Sequence, residues 1–157
     1  MRIVATSILC LAASAALAET AEFMRAGDWT AFGGTDKAGR SLCGLSTTAD
    51  GKRFELCYVL GEETFSVEIG RDDWRIAGNA GHETLLRFDG HVPWTVTLTK
   101  GVFTLPAPSL GRFIAEFRDS NTITALVRVD PPTAWAAGLT GSGAAGEVFL
   151  ACSRELM

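Results

Sequence analysis

Apolar and polar residues alternate most regularly between residues 42 and 70, LCGLSTTADGKRFELCYVLGEETFSVEIG. Phe54, Leu56 and Tyr58 alternate with Arg53, Glu55 and Cys57, and Phe65, Val67 and Ile69 alternate with Thr64, Ser66 and Glu68. A period of two marks strands with one buried face. The stretch therefore predicts three consecutive antiparallel strands. A two-residue type II′ loop at Gly61-Glu62 pairs Tyr58 with Phe65, Leu56 with Val67 and Phe54 with Ile69, which puts every apolar side chain of both strands on one face. At the preceding turn, a two-residue Asp50-Gly51 loop aligns Leu45 with Leu56 and Thr47 with Phe54. It also turns Cys43 inward, opposite Tyr58, and Cys57 outward. A three-residue loop would set Cys43 against Cys57 with a poorer apolar face.

The pattern is weaker on either side. Residues 21–27 carry no strong period, and Trp29, Ala31 and Gly33 suggest a first strand. Residues 71–82, RDDWRIAGNAGH, have neither the strand nor the helix period and read as a loop. Residues 83–98 predict a hairpin around Asp89-Gly90, with Leu86 opposite Val92 and Thr84 opposite Trp94. Lys100-Gly101 then turns into a strand that Pro106 and Pro108 end. Leu110, Phe113, Ile114 and Phe117 fall at i, i+3, i+4 and i+7, predicting a helix over 109–119 with Ser109 as N-cap. Strands follow at 122–129 and 134–139. Ala145, Val148, Phe149 and Cys152 repeat the helical stripe behind a capping Ser142. The fold class expected is α+β: a mostly antiparallel sheet or sandwich of seven or eight strands, with two short amphipathic helices in the second half.

Residues 1–18 stand outside this pattern. Arg2, an uncharged apolar run over 3–16 and Ala16-Leu17-Ala18 make a secretory signal peptide, with cleavage expected before Glu19 and one exported domain over 19–157. The run is short for a membrane span, and none of spanning length follows. Loss of Arg2 takes the formal charge from −4 to −5. An acidic, unclustered balance argues against nucleic acid and anionic membrane surfaces. A periplasmic or secreted bacterial location is expected.

Candidate chemistry is sparse. Residues 141–146, GSGAAG, spell G-x-G-x-x-G, but a dinucleotide site needs a long helix and a second parallel strand beyond it, and the sequence ends eleven residues later. A small-residue helix start packed on the sheet is the simpler reading. Ser142 lacks the G-x-S-x-G elbow of a nucleophile. His82 and His91 fall about 16 Å apart on opposite faces in the expected hairpin, or about 20 Å apart in the alternative register, too far to share a metal. No catalytic, cofactor or metal residues are expected, and the chain reads as a non-enzyme.

The cysteines carry more. After export Cys43, Cys57 and Cys152 remain, in a compartment that favours pairing. Inward Cys43 and Cys152 on the buried helical stripe are expected to form a disulfide, with Cys57 a free thiol on the opposite face. In the irregular loop, Asp72, Asp73, Trp74 and Arg75 set an aromatic between both charge signs, a composition common at interfaces; the stronger reading of Trp74 is a plug at an open end of the sheet, with Ile76 beside it.

Three stretches, GDWTAFGG, RSLCGLSTTADGKRFELCYV, and FIAEFRDSNTITALVRV followed by WAAGLTGSGAAGEVFLAC, resemble the invasion-associated locus B proteins of alphaproteobacteria. The likeness follows the order of elements over most of the chain after residue 18. The chain departs from that pattern in having a Gly-Ser where those proteins place an aromatic after Gly141. The resemblance implies a β-rich periplasmic or secreted protein that binds an envelope or host protein and has no established enzymatic activity. AGDWTAFGG…LCGLS is also similar to the opening of periplasmic β-barrel protease inhibitors, and a barrel holding a small apolar ligand is the other alternative.

Overall fold

The structure, a computed structural model, describes residues 19–74 and 79–155. Among these residues ten antiparallel strands form two sheets, and two α-helices accompany them. The first sheet holds β1 (Glu19–Ala26), β2 (Trp29–Thr35), β3 (Ser41–Thr47), β4 (Lys52–Val59), β5 (Thr64–Arg71) and, beyond β5, β8 (Val102–Pro106). The second runs in the order β10-β9-β6-β7, from β6 (His82–Phe88), β7 (Trp94–Leu98), β9 (Thr122–Val127) and β10 (Thr133–Gly138). Helix α1 (Leu110–Asp119) joins β8 to β9, and α2 (Ser142–Glu155) follows β10. The fold is thus the mostly antiparallel α+β class that the patterning predicts, with both helices in the second half.

The central meander takes the expected register. Leu45 faces Leu56, Thr47 faces Phe54, Cys43 faces Tyr58, and Leu56 and Phe54 in turn face Val67 and Ile69. Asp50 (φ 54°) and Gly51 (φ 67°) both take positive φ, and the Lys52 N–H donates to the Ala49 carbonyl. That is a type I′ turn, the twist-matched solution for an Asp-Gly hairpin. The next turn differs in detail. Its closing bond runs from the Glu62 N–H to the Val59 carbonyl, so Leu60 and Gly61 are its central residues and Gly61 (φ 84°) supplies the positive φ at the third place. The Leu60 N–H donates to Ser41, drawing that residue onto the β3 end. The ladder closes at Cys57 opposite Ser66, and Tyr58 and Phe65 lie just beyond it in the same register.

Three expectations are corrected. The featureless stretch at 21–27 belongs to edge strand β1, which pairs along β2 with a bulge between Glu22 and Met24; its order comes from the β2 backbone, not from its own pattern. The β6–β7 hairpin sets Leu86 opposite Trp94 and Thr84 opposite Val96, two residues from the expected register. Here Phe88 pairs with Ile123 of β9 instead of β7, and the Asp89 carboxylate accepts the Asn121 and Thr122 N–H groups. Pro93 has no N–H for a ladder, and His91 falls in the turn. Finally, neither predicted cap forms through its side chain: the Ser109 hydroxyl donates back to Pro106, and the Ser142 hydroxyl donates to Phe117.

Lys100 and Gly101 turn β7 into β8 with reciprocal bonds between Thr99 and Val102, so one hairpin carries the chain from one sheet to the other. Helix α1 packs its predicted stripe against both sheets. Phe113 meets Phe65 of the first sheet and Phe88 of the second, while Phe117 meets Trp29 and Phe54 on one side and Phe88 on the other. Two tryptophans stitch the sheets together. Trp29 Nε1 of β2 donates to the Gly138 carbonyl of β10 at 3.3 Å, and Trp135 Nε1 of β10 donates to the Gly70 carbonyl of β5 at 2.9 Å. A buried indole needs such a partner, and here each partner lies in the opposite sheet.

Candidate interaction surface

The first turn after β5 is built by residues 71–74, with the Trp74 N–H donating to the Arg71 carbonyl and the Asp72 N–H to the Gly51 carbonyl. Three of the four residues singled out in this loop, Asp72, Asp73 and Trp74, are thereby placed together. Arg75 and Ile76 lie outside the described residues. Arg71 makes a two-pronged contact with Asp73, with Nε and Nη2 at 2.7 and 2.6 Å from its oxygens, and Arg53 reaches Asp72 at 3.5 Å. Trp74 is half-buried and packs against the core while also lining a cleft of about 250 Å³ with Arg53, Glu68, Arg71 and Lys100. The structural and the interface reading of this tryptophan thus describe its two sides.

Glu68 stands opposite Glu55 on the outer face of the first sheet. Burial raises both carboxyls above the usual range; Glu55 is pushed up to about 8 by burial and then by the Glu68 charge, whereas Arg53 partly offsets the rise at Glu68. The pair was not singled out in the sequence, because the alternation assigns both glutamates to a solvated face.

Cys43 and Cys152 are joined by a disulfide, Cα to Cα 6.0 Å, tying α2 to β3 across 109 residues. In the full-length chain no cysteine among the described residues is free, and the free thiol is expected at Cys57 only once residues 1–18 are removed. Its environment is nonetheless the outward one its register requires, a small apolar cluster with Phe32, Leu42 and Val59 on the face opposite the main core.

The glycine-rich run opens α2. Gly141 has φ 88°, and a Cβ there would stand 2.3 Å from the Ala26 carbonyl oxygen. Glycine at 141 is therefore required by the close approach of α2 to the β1–β2 turn. His82 lies at the start of β6, and His91 is exposed in the turn after it. Among the described residues no three His, Cys, Asp or Glu side chains are grouped to hold a metal ion, and no helix is long and apolar enough to cross a membrane.

Fold and surface together define a disulfide-bonded α+β protein of two stitched antiparallel sheets. No family model, curated protein or solved structure matches the chain.

Proposed function

We propose that this chain is an exported protein of the bacterial cell envelope, akin to the invasion-associated locus B proteins, that acts by binding an envelope or host protein and not by catalysis. The observation that carries the reading is the Cys43–Cys152 disulfide, a bond that persists in oxidising compartments and rarely in the cytosol. The N-terminal pattern of a positive residue, an apolar run and Ala16-Leu17-Ala18 supports export. The Trp74 cleft, lined by Arg71, whose guanidinium pairs with Asp73, supplies an aromatic and charged contact surface of the kind interfaces favour.

Cells expressing the chain should yield a periplasmic product whose intact mass begins at Glu19, and in-cell crosslinking should recover a discrete partner with it. Asp73→Lys should abolish that recovery with the melting temperature nearly unchanged, because the side chain is exposed. Trp74→Ala should abolish recovery and also cost stability through its buried side. A cytoplasmic product with Met1 retained would overturn the location. Recovery of every partner by both variants would overturn the surface.

A further inference from the structure

Among the described residues three large apolar side chains are well exposed: Phe23, Val92 and Leu126. Leu126 lines a groove of about 300 Å³ on the outer face of the second sheet, and Val92 adjoins Pro93 at the groove's side. The register explains the hollow. Leu85, Leu126 and Ala134 form one transverse row across β6, β9 and β10, and Arg87, Thr124 and Ala136 form the next. The short side chains of β10 leave space beside the two leucines. The two rows stand two residues apart, about 6.6 Å along the strands. Among the described residues Arg87 is the only charged side chain lining this groove, and none of the ion pairs among them involves it. By contrast Arg128, at the end of the same face, is paired with Glu83 at 2.8 Å.

We propose that this groove binds an extended segment of a partner protein carrying an apolar side chain and, two residues further on, a carboxylate. In an extended chain, side chains i and i+2 share a face at the same spacing as the two rows. The apolar side chain fills the hollow beside Leu85 and Leu126, and the carboxylate meets the Arg87 guanidinium. A bidentate guanidinium–carboxylate contact fixes the register of the segment, and the apolar contact supplies affinity. Pairing of the segment with the open edge of β10 is not part of this arrangement. Trp29 already donates to the Gly138 carbonyl, and Arg71 to that of Ala134. The segment lies on the sheet face. The proposal rests on the reading of this chain as a binding protein and names a second surface for it, on the other sheet from the Trp74 cleft and joined to it where Arg71 donates to Ala134.

The test is a titration of the isotope-labelled full chain with the peptide acetyl-Ser-Leu-Ser-Glu-Ser-amide, followed by amide chemical shifts. Saturable shifts are expected at Leu85, Arg87, Thr124, Leu126 and Ala136. Affinity should fall about fivefold in Arg87→Gln, fall again in Leu126→Ser, and weaken with added salt. Both side chains are exposed, so unchanged spectra elsewhere will confirm that the variants fold. Three outcomes each overturn the proposal: no shifts at millimolar peptide, equal shifts with Lys in place of Glu, or shifts that centre on Trp74. If crosslinked partners are still recovered through Asp73 and Trp74 while the peptide fails, the binding function stands and the groove is wrong.

Discussion

Glu55 and Glu68 face one another across two strands, and burial leaves their mutual repulsion poorly screened. The Glu55 carboxyl keeps its proton to about pH 8 in the folded chain and to about 4.5 when unfolded. The folded state therefore binds the extra proton between those values. The stability this contributes is whole below pH 4.5 and is lost as the pH rises through 8. Glu55→Gln should flatten the fall in stability between about pH 5 and about pH 8, measured by urea denaturation at each pH. An unchanged slope would mean that Glu55 titrates as an ordinary surface carboxylate. A different arrangement serves Glu116, which is buried on α1 yet fully engaged. Trp94 Nε1 and Arg112 Nε donate to its two oxygens, each at 2.8 Å, and the Arg112 guanidinium lies 4.3 Å from the Trp94 ring centre.

Helix α1 is the element on which both sheets depend. Its sequence gives four apolar residues at helical spacing, and all four are buried in the core, with Phe113 and Phe117 touching both sheets. Phe117 touches both sheets, with ring centres 4.8 Å from Trp29, 5.7 Å from Phe54 and 6.3 Å from Phe88. Phe117→Ala should cost about 3–5 kcal/mol, read as a lower urea midpoint with the slope retained. A loss below about 1 kcal/mol would show that the neighbouring rings collapse into the space. The first half of the chain was legible for the same kind of reason. Each apolar side chain of β4 and β5 finds its partner across one short turn, so period and turn chemistry sufficed. The β6–β7 hairpin was not legible. Phe88 looked like part of its turn, but its pairing partner, Ile123, lies in a strand that comes after α1.

For the whole molecule, the Cys43–Cys152 bond connects the early meander to the last helix. Closing a loop of this length restricts the unfolded chain, and by chain entropy its removal should cost roughly 4–5 kcal/mol. Replacing both cysteines by alanine should lower the melting temperature without altering the far-ultraviolet circular dichroism of the folded state. If the double variant melts with the wild type, the sheet and α1 alone set the stability and α2 is an appendage. The bond acts beside other ties between distant segments. Arg118 of α1 pairs with Glu147 of α2, and the paired tryptophans bridge the two sheets.

The sequence by itself determined the α+β class, the register of the central meander, the two amphipathic helices and the inward face of Cys43, because each follows from local periodicity or from a turn within a few residues. The candidate interface was legible only as a break in that periodicity around Trp74. Tertiary structure decided the rest. Strand β1 has no pattern of its own and is ordered by an edge; the second hairpin's register is set by β9; and the Glu55–Glu68 pair becomes unusual only through burial. The groove at Arg87 exists because small residues on β10 lie beside leucines contributed by β6 and β9. Leu85 and Leu126 meet across the sheet from strands on either side of β7, β8 and α1, and their spacing along the chain leaves no periodic trace.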